Sequence, residues 1–192
     1  MKKFMITAMI FIAGVVFLRG SATEAEKNTT WEIYRSEKVG YEIIYPQGWE
    51  VIEAKPRTGN KVEWAGNILI DSETEKVTFR EKEDNYCPGE FQIRVLINPQ
   101  KLNFEKWIQQ NEPQDVSGGS LIQDISDMVL DGKPAKKLSI FGFDQEIIEI
   151  IVIRGGSVYS MVFSGENPNN PKIKEHNKIY EKMFLSFRFI KK

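Results

Sequence analysis

Residues 125–143 read ISDMVLDGKPAKKLSIFGF, and residues 147–164 read IIEIIVIRGGSVYSMVFS. In each, apolar and β-branched residues flank a two-residue turn, Asp131-Gly132 in the first and Gly155-Gly156 in the second. A type I′ turn needs positive φ at both central positions, which Gly adopts freely and Asp more readily than most residues. Such turns match the right-handed twist of the strands they join. The two stretches therefore predict consecutive antiparallel hairpins, 125–130 with 134–143 and 147–154 with 157–164. Pro134 has no N–H to donate, so it is expected where the ladder requires none.

Working outward, the extended pattern reaches back to Trp31. Trp31, Ile33 and Arg35 share one parity, and Tyr41, Ile43 and Tyr45 share another run, as in strands with one buried face. Pro46-Gln47-Gly48 breaks the chain, and Trp49 with Val51 resumes it. Val62, Trp64, Ile68 and Ile70 mark further strands with a bulge or bend at Gly66, followed by strands at 76–80 and 91–98. Asn103 is a suitable N-cap for a short helix to Asn111, with Phe104, Trp107 and Ile108 on one face and Pro113 at its end. The stretch 117–120 reads as a loop. Asn170 and Pro171 open a second helix, whose Ile173, His176, Tyr180, Met183, Phe184 and Phe187 fall at helical spacing, and 188–190 closes the chain. Lys133, Lys136 and Lys137 read as a sheet edge protected against pairing. The class is α+β.

The chain has 192 residues, 41% of them hydrophobic, 28% charged and 11% aromatic. These are the proportions of a globular domain that stabilises itself through a core. Lys2 and Lys3 precede an uncharged, mostly apolar run from Phe4 to Leu18. At 15 residues it suits a signal peptide and falls short of the roughly 20 that span a bilayer as a helix. Small residues follow, so cleavage after Ala22 or Ala25 is expected. The expected organisation is a signal peptide at 1–22, a flexible leader at 23–30 and one domain at 31–192, with no integral membrane domain after cleavage. Arg19, between the apolar run and the cleavage region, is the feature that favours an uncleaved anchor instead. No Cys lies near position 20 to carry a lipid. Cleavage after Ala22 removes three of the 26 cations, leaving 23 against 27 acidic residues and a net charge of about −4. This balance offers no argument for nucleic acid as a partner.

Chemistry-bearing residues are sparse. Cys87 is the single cysteine, so no disulfide framework forms within the chain. Beside Pro88-Gly89 it reads as a small half-buried residue. His176 is the single histidine and sits at the edge of the apolar face of the last helix. A Cys–His hydrolase has no supporting signature around Cys87. A carboxylate enzyme would need two acids facing each other in a deep cleft. No zinc spacing occurs. Glu81, Glu83, Asp84 and Asn85 lack the loop spacing of a calcium site and read as a solvated loop. Gly118-Gly119 and Gly155-Gly156 lack the Lys of a phosphate cradle. No catalytic residue, metal or cofactor is therefore expected. Tyr41, Tyr45, Trp49 and Trp64 crowd the first half, together with Trp31. Core packing is the default for such residues, and an aromatic binding groove built from Tyr41, Tyr45, Trp49 and Trp64 is the alternative.

The run Tyr41-Glu42-Ile43-Ile44-Tyr45-Pro46-Gln47-Gly48-Trp49-Glu50-Val51 resembles the Tyr-Pro-x-Gly-Trp opening of PsbP-like proteins. That family includes the extrinsic lumenal protein of photosystem II and many bacterial lipoproteins and secreted proteins. Leu130-Asp131-Gly132-Lys133-Pro134-Ala135 before a strand, and Ser186-Phe187-Arg188-Phe189 after the last helix, are similar to later parts of the family pattern in the same order. The resemblance covers most of 31–192. It implies an α/β/α sandwich around a central antiparallel sheet, a fold shared with a Ran-binding nuclear import factor. It also implies a non-catalytic accessory or binding role in a bacterial periplasm, envelope or secreted fraction, with a protein or envelope partner of unknown identity. A membrane-tethered assembly subunit is the alternative, and a hydrolase using Cys87 or carboxylates a more remote one. A photosystem role does not follow, because fold does not carry function.

Overall fold

Both Gly-turn hairpins are present in the computed structural model, which describes residues 29–55, 62–64, 67–69, 73–82, 90–112, 120–142, 145–165 and 171–190. Residues 1–28, where the signal peptide and most of the leader are expected, Gly66, Ile70, residues 83–89 with Cys87, Pro113, residues 117–119 and Asn170 lie outside the described residues. In chain order the elements are β1 (Trp31–Ser36), β2 (Tyr41–Pro46), β3 (Trp49–Ala54), β4 (Val62–Trp64), β5 (Asn67–Leu69), β6 (Glu73–Glu81), β7 (Glu90–Ile97), α1 (Phe104–Asn111), β8 (Ser120–Leu130), β9 (Lys133–Gly142), β10 (Gln145–Arg154), β11 (Ser157–Ser164), α2 (Pro171–Ser186) and β12 (Arg188–Phe189). Leu130 pairs with Lys133 across the first turn and Arg154 with Ser157 across the second. All four turn residues have positive φ, from +47° at Asp131 to +81° at Gly156, as the sequence requires. Pro134 lies one residue beyond Ala135, the last β9 residue in register with β10.

The strands form three antiparallel sheets rather than one. Seven strands run β3-β6-β7-β11-β10-β9-β8, three run β1-β2-β12, and β4 and β5 make a separate hairpin. Among the described residues the architecture is thus mostly antiparallel sheet with two short helices. Among the described residues no helix is long and apolar enough to cross a membrane.

Strand alternation sends successive side chains to opposite faces, and the large sheet buries both. Ile93, Val95, Ile150, Val152, Tyr159, Met161 and Phe163 join the main core, together with Tyr41 and Ile43 of β2 and Tyr180, Met183 and Phe184 of α2. Residues of the opposite parity, among them Leu138, Ile140, Ile151 and Val158, form a second cluster closed by Trp107 and Ile108 of α1. The helices therefore cover opposite faces. α1 begins where expected: the Asn103 side chain accepts the Lys106 N–H at 3.0 Å. All six residues predicted for the α2 face and its end, from Ile173 to Phe187, are buried.

Two expectations are corrected. Ile33 does not face inward with Trp31, because on β1 it is Tyr34 that packs on the core and Ser36 that is buried, leaving Ile33 67% exposed. The lysine-bearing strand β9 is not a sheet edge. Its hairpin partner β8 takes the edge, and Lys136 instead pairs with Asp127 of β8 at 2.7 Å.

Candidate functional site

The four aromatic residues singled out from the sequence do not share one surface. Tyr41 is 0% exposed and stacks on Phe187, centroids 5.3 Å apart and 18° between planes; it belongs to the core. Tyr45 lies at the core margin, tilted on Phe79 at 5.4 Å. Its hydroxyl donates to Glu32 at 2.7 Å, and this hydrogen bond, with partial burial, pushes its pKa up to about 12. Trp49 is also at the margin, edge-on to His176 at 5.8 Å and to Tyr180 at 6.0 Å. Trp64 stands on β4, whose side chains lie outside the described residues.

Trp49 lines an open groove of about 620 Å³, together with Thr30, Gln47, Glu81, Lys82 and Ile179. The Pro46-Gln47-Gly48 break creates it. Gly48 turns the chain with φ +88°, and the Gln47 N–H donates to the Thr30 carbonyl at 2.8 Å, which fixes the rim. Behind Trp49, His176 is buried, with Nε2 3.4 Å from Glu81 Oε2 and its ring beside Tyr180. The histidine is a packed wall of the site. The groove offers one indole, one carboxylate, one ammonium and backbone polar groups, a set suited to holding a polar ligand or peptide. A Cβ at position 48 would meet nothing within 4 Å, so Gly48→Ala tests the backbone alone. It is expected to cost about 1–2 kcal/mol from the left-handed conformation, read as a shift in the urea midpoint with unchanged m-value.

A second cluster went unnoticed in the sequence. On the α1 side of the large sheet, Arg94 of β7 donates from Nη2 to Glu149 Oε1 of β10 at 3.0 Å and to Ser160 Oγ of β11 at 3.2 Å. Ser160 Oγ also donates to Glu149 Oε1. Glu112, immediately after α1, is buried beside Glu149. Burial first, and the neighbouring Glu149 second, raise the Glu112 pKa well above the usual carboxylate range, against the pull of Arg94. Glu112 is 8% exposed, Glu149 2% and Ser160 1%, so this carboxyl pair opens onto no cleft. Register brings the group together: Arg94 is directly opposite Ser160, and both point away from the main core, as Glu149 does. Single charges inside the apolar runs 91–97 and 147–153 were the available signal, since a charge on a strand buried on both faces requires a partner.

No family model matches the sequence, and no curated protein matches it. Among solved structures, the fold is similar to cyanobacterial PsbP (CyanoP) from Synechocystis sp. PCC 6803, with a TM-score of 0.54, 14% identity, and coverage of 89% of this chain and 98% of that one. A Bacteroides thetaiotaomicron structure gives 0.41 at 10% identity over 84% of this chain and 49% of that one. A Pseudomonas aeruginosa protein of unknown function gives 0.41 at 13% identity over 79% and 94%. The fold of this chain is PsbP-like.

Proposed function

We propose that the chain is an exported, non-catalytic accessory or binding protein that engages an extracytoplasmic protein partner through the groove beside Trp49. The observation that carries this reading is the place of the groove. It is built on Pro46-Gln47-Gly48-Trp49, within the stretch that resembles the PsbP-like opening, and it is open and polar. In the cluster around Arg94 the carboxylates are buried, Glu149 2% and Glu112 8% exposed. The similarity to cyanobacterial PsbP supports the fold on which this rests. An α/β/α sandwich around the large sheet belongs to the same reading, supported by core clusters on both of its faces.

A photo-crosslinking residue at Gln47 or Lys82, both exposed, is expected to trap one discrete envelope species in intact cells. The same residue at exposed Phe141 serves as control and is expected to trap none. Adducts that are absent, or identical from all three positions, would overturn the groove assignment. Export is tested separately by the intact mass of the chain from the envelope fraction. Processing after Ala22 or Ala25 is expected. A full-length chain held in the membrane supports the tethered alternative favoured by Arg19, and a full-length cytosolic chain overturns both.

A further inference from the structure

We infer that β8 is a self-pairing edge, through which two copies of this chain join their large sheets antiparallel about a twofold axis at Ile125. β8 ends the strand order, and among the described residues no strand lies beyond it. It therefore presents a row of main-chain N–H and C=O groups with no ladder partner on that side. Edges are ordinarily blunted by brevity, Lys or Pro. β8 has 11 residues, none of them Lys, Arg or Pro. The lysines expected to guard an edge stand one strand further in, where Lys136 is occupied by Asp127 at 2.7 Å. The strand at the other end of the sheet, β3, is defended: Glu50 binds Arg80 at 2.9 Å, and Glu53 accepts from the Tyr34 hydroxyl at 3.0 Å.

The unpaired edge is also apolar. Seven large hydrophobic side chains are exposed among the described residues, and three of them stand on β8: Leu121 at 39%, Ile125 at 45% and Val129 at 69%. Ile125 lies opposite Leu138 and Val129 opposite Pro134, so both are on the α1 side of the sheet. There Ile125 walls a cleft of about 360 Å³ with Ile108 and Gln109 of α1 and Lys136. A register irregularity between Ile122 and Asp124 leaves Asp124–Leu130 in unbroken pairing with β9, and this regular stretch is the one offered to a partner.

The occupant is selected by charge. A twofold axis perpendicular to a continuous sheet keeps each face on its own side, so only side chains of one face meet and the axis passes through a residue. Centring it on Asp124 or Asp127 sets a carboxylate directly against its own copy, which is destabilising. Centring it on Ser126 puts Asp127 against Ile125, and centring it on Met128 puts Asp127 against Val129. With the axis on Ile125 these conflicts vanish. The two Ile125 side chains meet, Asp124 faces the Ser126 hydroxyl of the other copy, and Asp127 falls against Gln123, whose amide donates. The strand is thus complementary to itself in one register. β3 and β8 are opposite ends of the sheet, so this contact and the groove beside Trp49 stand or fall separately.

Sedimentation of the chain as isolated from cells is expected to show a dimer at about 100 μM. Ile125→Lys sets two cations face to face at the axis and is expected to weaken association at least roughly a hundredfold, with an unchanged far-UV circular dichroism spectrum. Cysteine crosslinking tests the register without relying on that variant. In a Cys87→Ser background, Ile125→Cys brings two thiols to directly opposed positions, about 4.5–5.5 Å apart between Cα atoms and within disulfide reach. Val129→Cys holds them about eight residues apart, roughly 27 Å. Rapid disulfide formation is expected from the first and not from the second. A chain that stays monomeric, even one whose edge takes up a strand of another protein, overturns the inference. So does a dimer unaffected by Ile125→Lys, or equal crosslinking at the two positions.

Discussion

Arg94→Met is expected to lower the unfolding free energy by about 3–5 kcal/mol at neutral pH, among the largest effects of any single substitution on this chain. Met retains much of the length and apolar stem of arginine, so packing changes little. What disappears is the countercharge to Glu149, whose side chain is 3% exposed. A buried carboxylate deprived of its partner is far costlier than the intact pair is stabilising, because the desolvation penalty remains when the attraction is gone. A further substitution identifies the cause. Combining Arg94→Met with Glu149→Gln is expected to recover most of the loss, since Gln still accepts from Ser160 without carrying charge. Urea unfolding of the two single variants and the double variant, as a cycle, measures the coupling. If the double variant is as unstable as the sum of the singles, the ion pair is not what holds this region together.

Phe187→Ala is expected to cost a comparable amount, about 3–5 kcal/mol, for a different reason. Phe187 is fully buried at the point where α2 hands the chain to β12. It stacks on Tyr41 and meets Tyr159 edge-on at 6.1 Å and Phe189 at 5.0 Å. It thus joins β2 and β12 of the three-stranded sheet to β11 of the seven-stranded sheet through one ring. Removal leaves a cavity among rigid aromatic neighbours that cannot collapse into it, and such pairs carry about 0.5–1.5 kcal/mol beyond their buried area. At about 2–4 °C per kcal/mol for a domain of this size, the melting temperature is expected to fall by roughly 10 °C. Leu185→Ala, two residues earlier and half exposed, is the control and is expected to change stability by less than about 1 kcal/mol. Equal losses from the two variants would mean that the aromatic junction does not bear the contact between the sheets.

The candidate groove was legible in part. Pro46-Gln47-Gly48 announced a turn, and Trp49, whose default reading was core with a groove as the alternative, lines the opening beside that turn. Tyr41 was equally prominent in the sequence but is core, because its partners Phe187 and Tyr159 come from far along the chain. His176, readable as a packed residue from its helical spacing, proves to be the wall behind Trp49. The Arg94–Glu149–Ser160–Glu112 cluster was invisible as a group, since its members lie on three strands and just past the end of α1, and no spacing within one element relates them.

Local signals alone were enough for the two hairpins, the Asn103-capped helix and the buried face of the last helix. Turn dihedrals, capping hydrogen bonds and helical period are decided within a few residues of chain. Strand order, the division into separate sheets, the displacement of the lysine strand from the edge and the meeting of two buried acids with one arginine were decided only by tertiary structure. Those outcomes depend on which distant surfaces exclude water together, and adjacent residues hold no record of the strand that will lie against them.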